Sequence, residues 1–172
     1  MIGMFQGAAQ FNQDIGRWNV GKVTSMSWMF ADATLFNQDI GKWDVSNVVD
    51  MDYMFTHAIL FHQNIGNWNV GNVKKMRSMF LGATQFNQDI GKWNVGNVEF
   101  MDLMFSGATQ FRQNLCPWIP LLLTSTTKTT EVRVVSCKSM FGGTSCPYKQ
   151  SDSSCTNKNN KIAADGSFCV QC

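Results

Sequence analysis

The chain has 172 residues, of which 44% are hydrophobic and only 15% charged, so it carries enough apolar material for a core and is not of the highly charged, intrinsically disordered class. Its net charge of +2 gives no ground for expecting nucleic acid or a strongly acidic partner. No apolar run is long enough to span a bilayer, and no basic-then-apolar leader opens the sequence; Met1-Ile2-Gly3-Met4-Phe5 falls straight into a repeat. If the protein is secreted, this reading expects the 172 residues to belong to a longer product.

The repeat has a period of 25 residues. Met-Phe pairs stand at Met4-Phe5, Met29-Phe30, Met54-Phe55, Met79-Phe80 and Met104-Phe105. A second Phe follows six residues on (Phe11, Phe36, Phe61, Phe86, Phe111), and a Gln two after that (Gln13, Gln38, Gln63, Gln88, Gln113). Next come Ile15, Ile40, Ile65, Ile90 and Leu115, and then Trp18, Trp43, Trp68, Trp93 and Trp118. A catalytic constellation is needed once, so residues that recur in every unit are read as structural.

Within each unit the spacing changes. Ile15-x-x-Trp18-x-Val20-x-x-Val23 reads as a short half-buried strand. Met26-x-x-Met29-Phe30-x-x-Ala33 has the three-and-four spacing of a short helical segment. Gly16, Gly41, Gly66 and Gly91 suit the corner before the strand. A unit this small cannot bury enough surface alone, so the units are expected to stack. The predicted architecture is an α/β repeat solenoid, right-handed by the crossover rule. It has one short parallel strand and one short helical segment per coil, over residues 1–118, and a Cys-rich tail with a degenerate last coil over 119–172.

The pattern Ile-x-x-Trp-x-Val-x-x-Val followed by Met-x-x-Met-Phe-x-x-Ala-x-x-Phe resembles the 25-residue surface-protein repeat of the BspA-like leucine-rich-repeat proteins, over residues 1 to about 118. The resemblance implies a leucine-rich-repeat-like solenoid displayed outside the cell and associated with adhesion or protein binding. It brings no catalytic residues with it.

On that architecture Arg17, Lys42, Asn67 and Lys92 form one outward row, with Asn19, Asp44, Asn69 and Asn94 beside it. This polar, mildly basic face is the expected binding surface for protein or glycan; the bland reading is an ordinary solvated face. The recurring Gln is expected to hydrogen-bond the backbone at the corner. Asp14, Asp39, Asn64, Asp89 and Asn114 are read as caps on the loop rather than Ca²⁺ ligands, because the acidic-glycine repeat of calcium-binding β-helices is absent. His57 and His62 read as drift at exposed sites. No Ser-His-Asp set, phosphate loop or HExxH motif occurs, so no enzyme and no cofactor are expected.

All six cysteines follow the regular repeats: Cys116, Cys137, Cys146, Cys155, Cys169 and Cys172. An even count in a polar segment favours disulfides over zinc, although Cys169-Val-Gln-Cys172 would serve as half a zinc site. Met140-Phe141 echoes the Met-Phe element and reads as a degenerate coil. At the other end, Met4, Phe5 and Phe11 start a half unit whose apolar surface is expected either to promote self-association or to meet further coils. The functional expectation is a non-enzymatic surface binding or adhesion module, extracellular or at the cell surface. A structural spacer within a longer surface protein and a zinc-stabilised intracellular scaffold are the alternatives.

Overall fold

A computed structural model describes residues 1–122, 140–142 and 144. The 25-residue units stack, each coil lying directly on the next, but the units are not the ones the spacing predicted. Among the described residues there is no strand and no sheet, and the sole helical elements are a 3-10 turn at Cys116–Trp118 and a four-residue helix at Ile119–Leu122. The expected α/β leucine-rich-repeat-like solenoid, with a strand and a helical segment in every coil, is therefore not formed. Coil meets coil through isolated parallel bridges, Ser25 with Asp50, Asp50 with Lys75, and Lys75 with Phe100.

The hydrogen bonds give the physical reason. In a helix the amide of Phe30 would donate to the carbonyl of Met26, four residues back. It donates instead to Met54 O in the next coil, at 2.9 Å. Along the segment the amides alternate. Met26, Trp28, Phe30 and Asp32 donate outward to Asp50, Asp52, Met54 and Thr56, while Met29, Ala31 and Ala33 donate back to Met26, Trp28 and Phe30. The inward bonds close four-residue turns, and φ is positive at Trp28 (61°) and Asp32 (60°), the third residues of two of them. That is the pattern of type II turns. Spacing of three is common to a helix and to consecutive turns, and here turns form.

The predicted strand fails in the same way. Trp18 donates to Ile15 O and Val23 to Val20 O, so the Ile-x-x-Trp and Val-x-x-Val spacings are also turns. Alternation nevertheless sends the apolar residues inward, and Ile40, Trp43, Val45 and Val48 are buried.

The core consists of columns, one residue per coil. Phe30, Phe55, Phe80 and Phe105 lie in parallel offset stacks with ring centres 5.6 Å apart, and each also stacks within its own coil on Phe36, Phe61, Phe86 or Phe111 at about 4 Å. Met140–Gly142 continues this column: Phe141 stacks on Phe105 at 5.6 Å, and the amides of Phe105 and Gly107 donate to Met140 O and Gly142 O. The glycine two residues before Trp18, Trp43, Trp68 and Trp93 permits the close approach of neighbouring coils. A Cβ on Gly41 would stand 2.5 Å from the carbonyl oxygen of Asn64, and one on Gly16 would stand 2.6 Å from that of Asp39.

Candidate binding faces

Most of the recurring polar residues tie one coil to the previous one. Gln38, Gln63, Gln88 and Gln113 donate from Nε2 to the backbone carbonyls of Asn12, Asn37, His62 and Asn87, at 2.7–3.0 Å. This is the corner role expected from sequence. Asn47, Asn72 and Asn97 reach back likewise to the carbonyls of Gly21, Ser46 and Gly71. Each buried indole N–H has a fixed acceptor as well: Trp43, Trp68, Trp93 and Trp118 donate to Ile15, Ile40, Ile65 and Ile90 O, at 3.1–3.2 Å.

The acidic and amide row works inside its own coil. Asp14, Asp39, Asn64, Asp89 and Asn114 each accept the amide two residues on from Oδ1, closing an Asx turn. These are the loop caps expected.

The predicted binding face divides in two. Arg17, Lys42, Asn67 and Lys92 are all exposed, one per coil. Asn19, Asp44, Asn69 and Asn94 are exposed too, but each closes an Asx turn onto Gly21, Ser46, Gly71 or Gly96. That row therefore has a structural task the sequence reading missed, although the two-residue step from Asn or Asp to Gly or Ser was there to be read. Asp44 is further stabilised as the anion by the Ser46 hydroxyl and amide, which lower its pKa.

A second polar face lies on residues that differ between units. Arg77 Nη1 meets Asp52 Oδ2 at 2.8 Å while the Arg77 amide donates to Asp52 Oδ1 at 2.7 Å, and its guanidinium lies 3.7 Å from the centre of the Phe100 ring. Asp102 Oδ2 lies 3.9 Å from Arg77 Nε, and Lys75 lies near Asp50 and Lys74 near Glu99. Burial is the main influence on Asp52 and raises its pKa, against the opposing hydrogen bonds from Arg77. Because these partners lie 25 residues apart at variable positions, the sequence pattern did not expose them.

His57 and His62 are exposed but engaged. His57 Nδ1 lies 3.0 Å from Asp32 Oδ1; His62 Nδ1 lies 2.9 Å from Gln85 O and its Nε2 lies 3.0 Å from Gln88 Nε2. Among the described residues no group of three His, Cys, Asp or Glu side chains is arranged to hold a metal. Cys116 is disulfide-bonded; Cys137, Cys146, Cys155, Cys169 and Cys172 lie outside the described residues. No helix among the described residues is long and apolar enough to cross a membrane.

No curated protein and no solved structure matches the chain. A family match covers residues 1–74 and 36–153, which together span most of the sequence. The chain thus belongs to the family described as Mycoplasma protein of unknown function, DUF285.

Proposed function

We infer that the chain is a non-enzymatic binding module acting at a cell surface, with the row Arg17, Lys42, Asn67 and Lys92 as its contact for an acidic glycan or an acidic protein loop. One observation carries this reading. Lys74, Lys75 and Arg77 all have carboxylate neighbours, whereas Arg17, Lys42 and Lys92 are exposed and in no ion pair among the described residues. Arg17 and Lys42 stand on adjacent coils, with the neutral Asn67 between them and Lys92; like charges on neighbouring coils repel, and an anionic partner relieves that repulsion.

The surface setting is supported by the resemblance of the repeats to BspA-like surface repeats and by the disulfide at Cys116, which favours an oxidising compartment. Counting free thiols by alkylation of unreduced protein from its native source checks the compartment; six free thiols argue for an intracellular scaffold.

The binding test is retention on an acidic polysaccharide such as heparin, for the parent chain and for a triple variant carrying Arg17→Gln, Lys42→Gln and Lys92→Gln. The reading predicts salt-sensitive retention that the triple variant loses. Equal behaviour of the two proteins, on heparin and on acidic proteins, would leave the row a solvated face and the chain a spacer.

A further inference from the structure

We propose that Trp28 and Tyr53 form a stacking platform for a neutral sugar ring, a site separate from the cationic row and independent of it. The platform stands where the units differ most. The corresponding segments read Thr24-Ser25-Met26-Ser27-Trp28, Val49-Asp50-Met51-Asp52-Tyr53, Lys74-Lys75-Met76-Arg77-Ser78 and Glu99-Phe100-Met101-Asp102-Leu103, and the buried methionine is the one residue they share.

The charged members of these segments already have a task. Arg77 holds Asp52, and Lys74 and Lys75 lie against Glu99 and Asp50, so they pair coil with coil. The aromatic pair also joins coil to coil, by stacking rather than by charge. Trp28 and Tyr53 stack on one another outside the core, ring centres 4.1 Å apart and planes within 13°, and Trp28 is 36% exposed.

The backbone beneath them makes their choice informative. Both residues have φ of 61°, in the left-handed region that bulky side chains resist and glycine adopts freely. Gly3 occupies the same place in the preceding half coil with φ of 57°. Ser78 (52°) and Leu103 (58°) hold the same conformation, so every coil takes it whatever its side chain; at Trp28 and Tyr53 the place is filled by large rings although glycine would suit it best. Gly3 has no side chain, so the column supplies no ring to cover the second face of Trp28, while Tyr53 covers the first.

The surrounding chemistry selects the ligand. The face of an indole is electron-rich, and the axial C–H groups on one face of a pyranose carry the complementary partial charge. The other variable residues of the Trp28 segment are Thr24, Ser25 and Ser27, all hydroxyl-bearing and uncharged, with Ser25 Oγ 3.2 Å from Ser27 Oγ. The neighbouring carboxylates of Asp50 and Asp52 lie against Lys75 and Arg77. A cation would have to displace an existing partner, and so would an anion. A neutral, hydroxyl-rich ring asks for neither.

The test uses the full chain titrated with neutral hexasaccharides of gluco, manno, galacto and N-acetylglucosamine type. Affinity is read by calorimetry, and the site by the indole N–H resonance of Trp28. At least one of these sugars is expected to bind and to shift that resonance. Trp28→Gly, which copies Gly3, is expected to weaken binding roughly tenfold or more while keeping the unfolding midpoint. Trp28→Ser copies Ser78 and gives a second folded variant if the glycine protein is poorly behaved. The Arg17, Lys42 and Lys92 triple variant should bind the neutral sugar as the parent does. Absence of binding to every neutral sugar overturns the proposal, and if heparin retention persists the reading of the cationic row still stands. Binding that survives in a folded Trp28→Gly protein, or capture of an apolar peptide in place of sugar, overturns it as well.

Discussion

Trp18 and Trp93 occupy almost the same local sequence, FNQDIGRWNVGKV against FNQDIGKWNVGNV, yet Trp18 is 37% exposed and Trp93 1%. Trp93 donates its indole N–H to Ile65 O and stacks between Trp68 and Trp118, at 6.5 and 6.4 Å. Trp18 has neither the acceptor nor a tryptophan on its outer side among the described residues, and it packs beside Phe5 instead. What differs is the neighbouring coil. For these tryptophans, burial and the indole hydrogen bond are set by the coil stacked on them, 25 residues away, and not by the residues beside them in sequence.

Four pairs of substitutions test that comparison. The largest contrast is between the tryptophans themselves. Trp93→Ala opens a cavity in a filled column and removes one of the two donors to the Ile65 carbonyl, and is expected to cost about 3–5 kcal/mol; Trp18→Ala should cost no more than about 1–2. Urea unfolding of the two variants measures the difference, and equal losses would mean that local packing matters more than stacking.

The next contrast is between glycines. Gly41→Ala drives a Cβ into the backbone of the next coil and should cost about 2–3 kcal/mol. At Gly7 nothing lies within 4 Å of the added carbon, so Gly7→Ala meets only the strain of its φ of 72°, about 1–2 kcal/mol. Thermal midpoints of the pair would rank them; a reversed order would place the tight approach elsewhere.

A smaller effect separates the glutamines. Gln63→Ala removes a rung to Asn37 O and should cost about 1 kcal/mol. Gln13 makes no such rung among the described residues, and its replacement should fall within about 0.5.

The smallest effect is a pH dependence of opposite sign at two aspartates. Burial raises the pKa of Asp52, so the folded state binds its proton more readily than the unfolded state does. The stability contributed through this group is full below the unfolded value of about 4 and is lost as pH rises through the higher folded value. Asp44 is the reverse: its lowered pKa gives stability that is present above about pH 4 and lost as pH falls through the folded value. In urea melts from acid to neutral pH, the advantage of the parent over Asp52→Asn should grow toward acid, and that over Asp44→Asn should shrink.

The period, the core columns and the glutamine rungs were legible in the sequence, because stacking repeats the same demand at the same place in every coil. Element type was not. Met26-x-x-Met29 and Phe30-x-x-Ala33 have the spacing of a helix, and nothing in their composition announces that Trp28 and Asp32 adopt positive φ; a bulky residue argues against it. The strand reading failed for a related reason, since alternation of Trp43 and Val45 marks only which side chains point inward. Among candidate sites, the exposure of Arg17, Lys42 and Lys92 followed from that alternation. The pairing of Asp52 with Arg77 and the stacking of Trp28 on Tyr53 needed the register between coils, which the differing residues at those positions conceal.

The central claim is that alternate amides of each Met-Phe segment donate to the next coil and the remainder close turns. Scalar couplings across hydrogen bonds, measured by NMR between amide nitrogen and acceptor carbonyl carbon, test it directly. The account predicts couplings from Phe55 N to the Met79 carbonyl and from Phe80 N to the Met104 carbonyl. A coupling from Phe80 N to the Met76 carbonyl would reveal a helical segment in the coil and contradict it.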